Sequence, residues 1–112
     1  MSAVATAKFL QYEKILRTLF KAKPDTRSAI ISEASDGVIN ALSELIFNLR
    51  KGVIHLQPSD IKTLRRYKKD LKDLSTKRTS IKAKKDLLIR NPGLVRRILK
   101  PLIPILDSNS NK

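Results

Sequence analysis

Cysteine is absent from the 112 residues, which excludes disulfides and thiolate metal sites and leaves the redox compartment unmarked. The single histidine, His55, cannot build a zinc site alone. With only three glycines there is no phosphate-cradling glycine loop, and paired histidines and a cysteine nucleophile are missing too. Carboxylates number ten and are spread singly. Glu33 and Asp36 stand at helical spacing and could share a cation, but a cap or a solvated turn explains them better. These gaps remove the usual catalytic constellations, so no enzyme, cofactor or metal is expected. No uncharged stretch approaches the roughly 20 residues that a spanning helix needs. Met1 to Leu10 also lacks the basic start and apolar run of a signal peptide. The expectation is a chain used in cytosol, nucleus or a particle assembled there, and not a secreted one.

Basic charge is what the chain has in excess. Lysine and arginine number 24 against ten carboxylates, a net of +14, with a pI near 10.5. The excess is segregated: residues 61–112 hold sixteen basic and four acidic side chains, a net of +12, whereas residues 1–60 net +2. So much like charge on one half opposes compaction unless a polyanion neutralises it in use. At 41% apolar residues the sequence is too hydrophobic for a disordered basic tail, and its length suits one domain with a modest core.

Periodicity predicts an all-α fold of several short amphipathic helices in a small bundle. A first helix over Val4 to Ala22 carries Phe9, Tyr12, Leu16, Leu19 and Phe20, and Pro24 suits the first turn of the next one. Ala29, Ile30 and Ala34 then precede a stripe of Val38, Leu42, Leu45, Ile46 and Leu49, as two helices or as one kinked at Gly37. Arg50, Lys51 and Gly52 close that stretch with dipole-matching charge and a left-handed cap. Val53 to Leu56 reads as a short extended link. From Pro58 a single helix is expected to reach Leu74 or Ser75, with Ile61, Leu64, Tyr67, Leu71 and Leu74 inward. Ser80 caps a further helix containing Ile81, Leu87 and Leu88. Asn91, Pro92 and Gly93 make a stop. Beyond it the apolar segment Leu94 to Leu106 holds Pro101 and Pro104, which allow a first turn or two of helix at most. Three regions result: near-neutral packing and self-association over 1–56, a basic region with an apolar end over 57–106, and a disordered tail over 107–112.

The candidate site is the outward face of the basic region: Lys62, Arg65, Arg66, Lys68, Lys69 and Lys72, the loop residues Lys77 and Arg78, then Lys82, Lys84 and Lys85. Asp70 and Asp73 are too few to pair with it, so phosphate is the expected partner. About ten such contacts on duplex DNA would give a log–log salt slope of about −9. Tyr67, the one aromatic of the basic half, belongs to the apolar stripe and leaves no stacking platform for unpaired bases. Asn and Gln are scarce on the face, which leaves sequence-independent contact with the double-stranded backbone.

The order of pieces from Ile30 to Leu106 resembles a family of small basic proteins of Maverick or Polinton elements and adintovirus-like double-stranded DNA viruses. The resemblance is carried by Ile39 to Leu49, by Lys51-Gly52-Val53-Ile54-His55-Leu56 leading into Pro58, by Leu64-Arg65-Arg66-Tyr67-Lys68-Lys69 with Leu71, and by Ser80-Ile81-Lys82-Ala83-Lys84-Lys85 before an apolar end. It implies a virion core component that condenses DNA inside a capsid in the host nucleus, in a role like that of adenoviral core peptides. Capsid proteins then join DNA as expected partners, and compaction also needs bridging, which a second copy of the chain or two separated basic faces would provide. Where relatives have a Gly-Gly-Phe turn, this chain has Asn91-Pro92-Gly93-Leu94. Two other readings stand beside DNA binding: membrane contact or disruption through residues 94–106 on anionic lipid, and a scaffold that pairs through Val38 to Leu49.

Overall fold

The computed structural model describes residues 11–52 and 56–104. Among them are seven helices: α1 (Glu13–Lys21), α2 (Pro24–Glu33), α3 (Asp36–Arg50), α4 (Pro58–Arg65), α5 (Lys68–Ser75), α6 (Ile81–Arg90) and α7 (Pro92–Leu99). Two groups of three helices make up the bundle. One is α3, α5 and α6; the other is α1, α2 and α7, with α4 laid on α7. Packing of α6 on α2 and on α7 joins the groups. The expectations for Phe9, for the link Val53 to His55 and for residues 105–112 fall outside the described residues.

Local chemistry sets most boundaries. Ala22 turns the chain extended after α1, and Pro24, which has no backbone N–H to lose, starts α2. Ala34 is extended and the Ser35 hydroxyl accepts from the Val38 N–H at 3.3 Å, so α2 and α3 are two helices that part before Gly37. Gly37 then lies inside the first turn of α3, where a Cβ would run into the Tyr12 hydroxyl. At the far end of α3, Gly52 takes a φ of 75°, the left-handed conformation that glycine adopts without steric cost. The Ser80 hydroxyl caps α6 by accepting from the Ala83 N–H at 3.1 Å.

Two expectations need correction. The helix expected from Pro58 to Ser75 is two helices, because Arg66 and Tyr67 form a tight turn in which their N–H groups reach the carbonyls of Thr63 and Leu64. The turn has a packing reason: α4 lies on α7 whereas α5 lies on α3 and α6, and one straight rod cannot serve both. Ile61, expected inward, is consequently 40% exposed. In α2 the buried residues are Arg27 and Ile31, followed by Ala34 just past its end, while Ala29 is exposed and Ile30 half-buried.

Residues on both sides of position 56 enter one core. Leu16, Leu19, Ile31 and the α3 row Val38, Ile39, Leu42, Leu45, Ile46 and Leu49 meet Leu64, Leu71, Leu74, Leu88, Leu94, Val95, Ile98, Leu99 and Leu102. The α3 stripe is therefore packed within the chain. The same holds for the apolar segment after Asn91: α7 runs eight residues to Leu99, stops ahead of Pro101, and buries Leu94, Val95, Ile98 and Leu99. Among the described residues no helix is long and apolar enough to cross a membrane.

Candidate nucleic-acid interface

Helices α4, α5 and α6 and the loop between the last two carry the expected cations. Lys62 and Arg65 are exposed on α4 and Arg66 is exposed at its end; Lys68, Lys69 and Lys72 are exposed on α5; Lys77 and Arg78 are exposed in the loop; Lys82 is exposed on α6. Among the described residues none of these nine has a carboxylate within 4 Å. Lys85 is half-buried, and its Nζ lies 3.5 Å from the Ser32 carbonyl on α2. The break at Arg66 and Tyr67 divides the set. Lys62 and Arg65 travel with α4 beside α7, while the α5, loop and α6 cations sit on two helices that pack on each other.

Lys84 does not belong to the face. It is 5% exposed, and its Nζ donates to the Ser43 hydroxyl of α3 at 2.9 Å, which in turn donates to the Leu74 carbonyl at 2.7 Å. The reason lies in helix periodicity: Ile81, Lys84 and Leu88 stand three and four residues apart, on one stripe. Burial lowers the Lys84 pKa from its ordinary 10.5 by penalising the ammonium. The folded chain thus binds fewer protons than the unfolded chain between that lowered pKa and 10.5, and stability rises with pH through the window. Lys84→Met should remove this dependence. Its thermal midpoint at neutral pH is expected to equal or exceed that of the unaltered chain, by about 1 kcal/mol of stability, and to climb less on raising the pH. An unaltered pH profile of melting, followed by circular dichroism, would count against the burial of this ammonium.

Two concave features adjoin the cations. One is an open groove of about 1030 Å3 between α3, the end of α5 and the start of α6, walled by Phe47, Arg50, Lys77 and Ile81 among others, with Lys84 and Glu44 also lining it. Phe47 is 44% exposed there, and the Lys51 Nζ stands 5.4 Å from its ring centroid. Tyr67 is half-buried against the core, as its stripe implied, so the exposed ring comes from the near-neutral half. The other feature is a corner of about 530 Å3 where α1 meets the starts of α2 and α7.

Sequence reading missed Arg27. It is 3% exposed and makes three short hydrogen bonds to backbone carbonyls: Nε to Leu19 at 2.7 Å, one terminal nitrogen to Pro92 at 2.7 Å and the other to Ala22 at 2.6 Å. No carboxylate lies within 4 Å of it among the described residues. Burial, and then the nearby Arg96 charge, lower its pKa from the ordinary guanidinium range. The available signal was the Arg27, Ile31, Ala34 spacing, which puts the guanidinium on the buried stripe.

Fold and surface together define a small helical bundle whose described residues include exposed cations on short helices. Compared with protein families, with curated proteins and with solved structures, the chain finds no match.

Proposed function

We propose that the protein is a non-enzymatic, sequence-independent binder of double-stranded DNA that neutralises and compacts the duplex. One observation carries the reading: nine exposed lysines and arginines on α4, α5, the following loop and α6 have no carboxylate within 4 Å among the described residues. Cations left unpaired on ordered helices repel one another until phosphates intervene, and their association releases counterions from the duplex. The resemblance to Maverick and adintovirus-like core proteins supports a place in a virion core and the host nucleus. On the same reading, the compacted genome lies against capsid proteins.

The membrane alternative draws less support, because Leu94, Val95, Ile98, Leu99 and Leu102 are already covered by the chain itself. Insertion into lipid would have to open the core.

Fluorescence anisotropy of a labelled duplex over a salt series tests the proposal. If the six cations Lys68, Lys69, Lys72, Lys77, Arg78 and Lys82 engage phosphate, the log–log slope is expected near −5, with little change between unrelated sequences. Weak binding at low salt, or affinity indifferent to salt, removes the proposal.

A further inference from the structure

The corner between α1, α2 and α7 gathers Arg27, Arg96, Arg97 and Lys100 around one concavity, together with Phe20 and Gly93. No carboxylate lines it, unlike the groove beside Phe47, where Glu44 forms part of the wall. Each cation is held differently. Arg27 is fixed by its three carbonyls, which use three of the five N–H donors of a guanidinium. Arg96 lies over the Phe20 ring, its Cζ 5.0 Å from the centroid. Lys100 has its Nζ 3.3 Å from Asp60, and Arg97 is exposed with no carboxylate within 4 Å among the described residues.

The backbone adds to the same field. Pro92 opens α7 without a side-chain cap, since the Asn91 amide donates to the Leu87 carbonyl instead. The positive end of the α7 dipole therefore meets the corner at Gly93, where nothing stands within 4 Å of the space a Cβ would fill. A buried guanidinium, two arginines and an open helix start thus converge with no carboxylate on the wall, while Lys100 already has Asp60 as its counter-ion. That is the chemistry of a phosphate site: guanidinium forks pair with phosphate oxygens in two-pronged fashion.

We propose that this corner is a preformed phosphate-binding pocket, with Arg96 and Arg97 as its exposed arms and Arg27 and the Gly93 amide as its fixed base. The pocket shares no residue with the α5, loop and α6 cations. It rests in part on the nucleic-acid reading, which would make its occupant a backbone phosphate; a free phosphate compound has the same chemistry.

Titration of the full chain with inorganic pyrophosphate, followed by NMR at the Gly93 amide and the Arg27 side-chain Nε–H, tests the pocket. Saturable shifts at both are expected, with affinity reduced at least about tenfold in R96Q/R97Q, whose replaced side chains are exposed and leave the core intact. Shifts no larger there than along α5, or an equal loss of affinity in K69Q/K72Q, overturn the pocket. A short duplex added next separates the sources. Displacement of pyrophosphate from Gly93 assigns the pocket to nucleic-acid backbone, whereas a duplex that leaves pyrophosphate in place assigns it to a free phosphate compound. If no duplex binds anywhere while Gly93 still responds to pyrophosphate, the DNA proposal falls and the pocket stands.

Discussion

Arg27→Met should cost about 4 kcal/mol of stability and lower the thermal midpoint by roughly 15 °C. The Leu19 and Ala22 carbonyls belong to the end of α1, where a helix leaves its last acceptors without partners. The Pro92 carbonyl belongs to the start of α7, so one guanidinium joins three helices. Methionine fills much of the volume but supplies no donor, and each buried bond to a charged group is worth about 1.5–3 kcal/mol. Relief from desolvation and from Arg96 offsets part of the loss, since both already weigh against the charge. Against a total of about 5–15 kcal/mol for a domain of this kind, the variant would sit near the limit of folding. Arg27→Lys should fall between, because one ammonium cannot span three carbonyls. Calorimetry decides it, and a midpoint unmoved in Arg27→Met would show that the junction holds without its donor.

Neutralising Lys69, Lys72 and Lys82 together should weaken duplex binding roughly a hundredfold at low salt and make the salt slope shallower by about three. All three are exposed and, among the described residues, have no carboxylate within 4 Å, so the fold should change by no more than about 0.5 kcal/mol. The matched control K14Q/K21Q/K51Q removes the same charge from exposed positions on α1 and at the end of α3. It should lower affinity by less than about threefold, because screening confines each cation to its own neighbourhood within about 8–10 Å. Equal losses in the two triple variants would mean that net charge, and not the α5 and α6 face, governs binding.

Signals that act over a few residues were legible in the sequence. Pro24, Ser80 and the Gly52 cap declare themselves through missing N–H groups, a hydroxyl acceptor and a left-handed φ, and each stands where expected. So does the core face of α3, which is long enough for its period to be unambiguous. Features set by distant partners were not legible. The turn at Arg66 and Tyr67 exists because α4 and α5 lie on different helices, which no local pattern states. Lys84 was misplaced and Arg27 missed for a shared reason: a charged residue reads as outward unless its stripe is followed, and their partners are a hydroxyl and backbone carbonyls. Lys62, Arg65, Arg66, Lys68, Lys69, Lys72, Lys77, Arg78 and Lys82 are exposed, as their distance from the apolar stripes implies, but no local pattern states how the helices that carry them are arranged.

The pairing of α1 with α7 governs how the molecule comes into being. Leu16 and Leu19 emerge early from the ribosome, yet the helix that shields them is the last of the seven to be made. Until then the nascent chain trails an open, positively charged ribbon with its greasy side chains uncovered. Packing among α3, α5 and α6 needs nothing from α7, whereas closure over α1 waits for it, and a product that lacks residues 92–102 would leave Leu16 and Leu19 without that cover and more exposed to proteolysis.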